Sequence, residues 1–170
     1  IYLTFADAYE DAESGVDTIE LCAGQYLAVA GNVIDKSVDI DLNGNVLTNN
    51  SALSIVAAVS VIDRVGTGVL ELDANISVDD SEAYLNLVAL DPSAISGEGV
   101  LTGEADVGGT FMFASDLGSP NANLARFGDI PSMLQIELWD GDEKVAVYVG
   151  YPDGEPARFV RYDEGGDYGE

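Results

Sequence analysis

From Ile19 onward, apolar residues fall at alternate positions in short runs, and Gly, Asn, Asp or Ser separates one run from the next. In an extended chain successive side chains face opposite sides, so Val38, Ile40 and Leu42 point one way and Asp39 and Asp41 the other. The same period of two predicts strands at Ile19–Leu21, Val38–Leu42, Val46–Leu47, Leu53–Val56, Val59–Ile62, Val69–Leu72, Ile76–Val78, Tyr84–Leu90 and Val100–Leu101. Before them the period is helical. In TFADAYEDAES, residues 4–14, Phe5, Ala8, Tyr9 and Ala12 recur on one face. Thr4 stands where an N-cap is needed, Asp7 completes a capping box, and Gly15 is placed to end the helix.

One helix followed by unbroken short strands excludes a doubly wound sheet and predicts an all-β fold: sandwich, barrel or solenoid. Val38 and Val59 are 21 residues apart, and Val59 and Ile76 17, which is close to the length of one β-solenoid coil. Asn43-Gly44-Asn45 and Asn49-Asn50 are placed to take left-handed backbone at the corners between strands. Asn-Gly is equally the mark of a two-residue antiparallel hairpin, so a β-sandwich is the alternative. Further on, Gln135–Trp139 and Lys144–Val149 alternate around Asp140-Gly141 and predict an antiparallel hairpin. The expected division is a solenoid over 1–118 and a C-terminal hairpin cap or arm with an acidic tail over 119–170.

The stretch DAYEDAESGVDTIELCAGQYL resembles the opening of right-handed parallel β-helix proteins of the pectate-lyase-like superfamily. In them an N-terminal helix caps the solenoid and leads into a first coil of the form GDTI-x-L-x-x-G-x-Y. The segment SVDIDLNGNVLTNNSALSIVAAVSVIDRVGTGVLEL is similar to the following coils. The similarity covers residues 4 to about 72 and then fades, although VGGTFMFASDLG, residues 107–118, resembles segments near the ends of such modules in phage virion and bacterial surface proteins. The resemblance implies a short right-handed parallel β-helix with an N-terminal capping helix.

Composition narrows the function. Apolar residues make up 47% of the 170, enough for a packed core. There are 31 Asp and Glu against 6 Lys and Arg, with no His, for a net charge of −25. Such a surface repels polyanions, which excludes nucleic-acid binding through phosphates. The excess acid can serve solubility, adaptation to high salt, or weak binding of a divalent cation such as calcium, which prefers oxygen ligands. Cys22, the single cysteine, forms no internal disulfide and is expected as a small buried hydrophobe. The longest nearly apolar run, residues 52–62, is too short to span a bilayer, so no membrane insertion is expected. The chain begins at Ile1 without an initiator methionine or signal peptide, which reads as a processed or partial N-terminus.

Catalytic groups are sparse. A polysaccharide lyase needs a basic side chain, commonly Arg or Lys, to take a proton; Arg64 lies on the expected solenoid, but a charge-balancing role suits it better. A hydrolase needs two carboxylates across the scissile bond. Pairs such as Asp39/Asp41 and Asp79/Asp80 are unavoidable by chance among 31 acids, and Asp39/Asp41, neighbours on one strand face, reads as a solvated outer face. Gly97-Glu98-Gly99 has the wrong spacing for a dinucleotide loop, and Asp140-Gly141-Asp142-Glu143 is too short for an EF-hand. Asn49 and Asn75 begin glycosylation sequons.

No catalytic or cofactor residue is assigned. The expectation is a non-enzymatic interaction protein of a repeated assembly: a virion surface or phage capsid decoration protein, homotrimeric, on a major capsid or surface-lattice protein. The alternatives are a cell-surface or filament subunit, and a polysaccharide-binding or polysaccharide-cleaving β-helix. The candidate interaction residues are Trp139, Tyr148, Tyr151 and Tyr162, aromatic side chains of the C-terminal region.

Overall fold

The structure is a computed structural model that describes residues 1–104, 106–115, 122–127, 133–150, 159–162 and 168–169. A short helix, α1 (Phe5–Asp11), opens it. The first coil follows as β1 (Thr18–Glu20), β2 (Gln25–Tyr26) and β3 (Val33–Ile34). The second is β4 (Val38–Asp41), β5 (Val46–Asn49) and β6 (Leu53–Ile55). The third is β7 (Ala58–Ile62), β8 (Val69–Leu72) and β9 (Ile76–Val78), and the fourth β10 (Tyr84–Leu87), β11 (Ile95–Ser96) and β12 (Leu101–Gly103). Beyond them lie β13 (Gly109–Ala114), β14 (Leu134–Asp140), β15 (Glu143–Gly150), β16 (Phe159–Tyr162) and β17 (Tyr168–Gly169).

Equivalent strands of successive coils pair in parallel, giving a β-solenoid of about five turns with three sheets. The second sheet is β2-β5-β8-β11 and the third β3-β6-β9-β12. The first runs on past the solenoid, β1-β4-β7-β10-β13-β14-β15-β16-β17, its last three pairings antiparallel. Strand β14 is therefore both a parallel rung on β13 and the first arm of the predicted hairpin.

The core is a set of side-chain stacks. Val38, Val59, Leu85, Phe111 and Ile136 lie in register beneath the first sheet, all buried. Leu53, Ile76 and Leu101 stack beneath the third, and Leu47, Leu70 and Ile95 beneath the second. Rungs are about 4.8 Å apart, so each apolar side chain is covered by the one above, and each contributes about 1.5–3 kcal/mol by leaving water. This stacking is why the alternation repeats: an unmatched polar residue facing inward would break a column.

The apolar core is covered at both ends of the stack. At the start, Phe5 and Tyr9 of α1 pack under the core with rings 6.2 Å apart. The Tyr9 hydroxyl accepts from the Asp35 and Lys36 N–H groups and donates to Asp35 Oδ1. Lys36 Nζ donates to the Tyr9, Glu10 and Ala12 carbonyls at the helix C-terminus, which carries no basic residue of its own. At the far end, Phe127 sits edge-on to Phe111 and Phe113 at 5.2 and 6.1 Å. Arg126 donates from its two terminal nitrogens to the Ile95 and Gly97 carbonyls, along β11, the last strand of the second sheet. Its guanidinium stands where a further strand would pair. Burial lowers its pKa from the ordinary arginine value, yet the group stays charged.

Five expectations need correction. The helix covers Phe5–Asp11 rather than 4–14: Ala12 is already extended, and Gly15 lies in the turn beyond. The Thr4 cap and its Asp7 partner are as expected. Of the predicted corners, Asn43 and Gly44 do take positive φ, whereas Asn49 and Asn50 do not. Asn49 is instead fully buried, its Nδ2 donating to the Ala74 carbonyl, so it offers no amide for glycosylation. The 17-residue step from Val59 to Ile76 joins two faces of one coil; the stacking repeat is 21 residues from Ile19 to Ile40 to Val61, and 26 from Val59 to Leu85. Cys22 is exposed, because Ile19 and Leu21 already fill the inward positions. Asp41 is not solvated: it is 1% exposed.

Candidate functional site

The corner between the first and second sheets shows where the acids go. Asp41 Oδ1 accepts from the Asn43 and Arg64 N–H groups, and Oδ2 pairs with the Arg64 guanidinium at 3.2 Å. Asp63, one coil on, accepts from the Gly44 and Gly68 N–H groups. Burial alone would raise the Asp63 pKa, but backbone donors from Gly68, Gly44, Val65 and Gly66 outweigh it and hold the carboxyl below its ordinary value. A carboxylate whose folded pKa is depressed contributes stability above its unfolded pKa and loses it as pH falls through the folded one. Replacing Asp63 by Ala should therefore cost about 1–2 kcal/mol at neutral pH. In urea titrations the gap between the two proteins should close as pH drops below the ordinary carboxylate value; a gap constant down to pH 2 would refute the assignment.

On the outer face of the first sheet Thr18, Asp39, Ser60, Asn86, Met112 and Glu137 lie in one register row. A second row holds Ala58, Tyr84, Thr110 and Gln135. Where the rows begin, Asp17, Asp39, Ala58 and Tyr84 line a shallow groove of about 180 Å³. Where they end, the register shifts between Leu138 and Trp139. There Trp139 Nε1 donates to Glu137 Oε2, Lys144 Nζ donates to Glu137 Oε1, both at 3.0 Å, and the ammonium stands 5.5 Å from the indole ring. This cluster is internally satisfied, with the ion pair half-covered rather than open to a ligand.

Of the four candidate aromatic residues, the structure describes the side chains of Trp139 and Tyr148. Trp139 lies on the outer face beside Glu137, while Tyr148 pairs with the buried Ile136 and packs against the core. Tyr151 lies outside the described residues, and Tyr162 is on β16 with its side chain outside them. Arg64 is the charge-balancing residue expected, on Asp41. Asp39 remains exposed without Asp41 beside it as a second open acid. Gly97 and Gly99 serve packing against the coil below. What sequence reasoning missed is the use of the other cations: Lys36 holds a helix end, Arg126 a strand edge and Lys144 an ion pair. The signal was their scarcity.

Among the described residues no group of three or more His, Cys, Asp or Glu is arranged to hold a metal ion. No helix there is long and apolar enough to cross a membrane. The chain matches no family model, no curated protein and no solved structure.

Proposed function

We propose that this chain is a non-catalytic interaction module of a repeated surface assembly, a homotrimeric virion decoration protein seated on a capsid lattice. The observation that supports this reading most is the continuation of one sheet past the solenoid: β15 to β17 extend the first sheet from β14 as an antiparallel arm, which among the described residues the other two sheets lack. An arm of paired strands offers a neighbour an edge and two faces, which is what a subunit in a lattice needs. The commitment of the described cations to internal contacts fits the same reading, since they serve rigidity rather than a reacting anion. The filament-subunit alternative uses the same arm.

The test is the mass of the chain in solution by light scattering, in dilute buffer and again in molar salt. A trimer at both salt concentrations is expected; a monomer at both overturns the reading. Folding only in molar salt would assign the acidity to salt adaptation, since screening then removes the self-repulsion of a net charge of −25.

A second reading, polysaccharide binding, is favoured by the groove that Tyr84, Asp17 and Asp39 line, which offers an aromatic side chain and acceptors for hydroxyls. Saturable binding of a glycan to the monomer, abolished by Tyr84→Ala, would put it first.

A further inference from the structure

We propose that the groove between α1 and the free edge of β1 docks an extended peptide segment of a partner protein, basic at one end and apolar at the other. Strand β1 ends the first sheet, and among the described residues it pairs with β4 alone. Leu21 N–H donates to the Asp41 carbonyl, so by the alternation of a parallel ladder the main-chain groups of Thr18 and Glu20 face the opposite way, into the groove. An unpaired edge of this kind takes an added strand.

The groove has the dimensions and chemistry for one. Two contiguous hollows of about 330 and 280 Å³ share Tyr2, Ala8, Ile19 and Glu20, and together they run the length of β1. Toward Leu21 the walls are apolar: Leu3, Phe5 and Cys22 join Ile1 and Ala23. Toward Thr18 they carry Asp11 and Asp17, with Glu20 between the two halves. Ile1 and Leu3 are among the most exposed large apolar residues described, so this end presents apolar surface with an acidic rim.

The charge selects the occupant. The side chains lining both hollows include three carboxylates and no Lys or Arg, in a chain of net charge −25. A second copy would bring the same acids against them, and a polyanion would be repelled. A peptide with two or three apolar side chains for the Leu21 end and lysine or arginine for the Asp11–Asp17 end complements both halves, while its backbone pairs with Thr18 and Glu20. This goes beyond the assembly reading, since it requires neither a trimer nor a lattice.

The experiment is fluorescence anisotropy with the full chain at about 0.15 M salt. The probes are labelled synthetic peptides of leucine and valine in one half and lysine and arginine in the other, made in both sequence orders. Saturable binding of one of them is expected. The same peptide with alternate backbone amides N-methylated keeps charge and hydrophobicity but loses the ladder bonds, and should bind at least tenfold more weakly. The double substitution Asp17→Asn, Glu20→Gln, both exposed positions, should also cost at least tenfold, and Ala8→Trp should fill the groove and block binding. Glu82→Gln with Asp91→Asn, far from the groove, should leave binding unchanged. Equal binding of the N-methylated peptide, an equal loss in the distant double variant, self-association of the chain in place of peptide binding, or no binding at all would each overturn the proposal.

Discussion

Gly97→Ala should lower the melting temperature by about 10–20 °C, the largest effect expected of any single methyl group in this chain. A Cβ on Gly97 would stand 2.2 Å from the Leu72 carbonyl oxygen and 2.6 Å from its carbon, with φ at +85°. The clash is with backbone, which cannot rotate aside as a side chain does. Relief would have to lift the fourth coil from the third where Gly99 N–H donates to that same Leu72 carbonyl at 2.7 Å. Positive φ costs about 1–3 kcal/mol for a residue other than Gly, and overpacking a further 1–3. Against a total stability of about 5–15 kcal/mol, that is a large share. Gly31→Ala is the control: φ there is +69° but nothing lies within 4 Å of the added carbon. It should lose only the conformational part, about 2–4 °C per kcal/mol. Equal losses in the two variants would show that coil-on-coil contact is not what requires Gly97.

Arg126→Ala is expected to cost about 2–3 kcal/mol, as loss of charge-assisted hydrogen bonds does. It removes the bonds to the Ile95 and Gly97 carbonyls and the 3.1 Å bond from Nε to Asn123 Oδ1. The second consequence matters more. With the guanidinium gone, β11 presents an open edge beside the aromatic plug of Phe127, and open edges recruit other chains. Light scattering should show concentration-dependent growth of the Ala variant beyond the mass of the parent. Arg126→Lys should restore little, because an ammonium cannot bridge two carbonyls as the planar fork does. A variant that loses stability without associating would mean that Phe127 alone guards the end.

Much of the fold was legible because stacking imposes one rule on every coil. Wherever a coil passes beneath the first sheet, its inward residues must be apolar, so Val38, Val59 and Leu85 announce their strands by alternation. Val69–Leu72 and Ile76–Val78 fall where period two puts them. The shortest strands escaped notice. Two residues, as in β2, β3 and β11, are too few to display a period, and only the strand stacked on them defines them. Gly109–Ala114 stands out in the sequence by a resemblance rather than by alternation of apolar and polar residues, although its burial alternates along all six residues.

The charged residues were the least legible. Asp39 and Asp41 look alike in a strand pattern, yet one is exposed and the other buried. The difference is made by Arg64, 23 residues further along, whose N–H and guanidinium both reach Asp41 from the next coil. The same holds for Lys36 on the end of α1 and Arg126 on the edge of β11, contacts across 24 and 31 residues. Trp139 and Tyr148 share one hairpin, but the pleat places them on opposite faces.

By itself the sequence determined the class of fold, the helical start, the hairpin near the end, and an acidity that repels polyanions, because period, capping and net charge are local or summed properties. Only the tertiary structure decided which acids are buried, what the few cations hold, and where a strand edge is left open. Those depend on which coil lies over which, and the columns that bring distant residues within hydrogen-bonding distance exist only once the chain has wound.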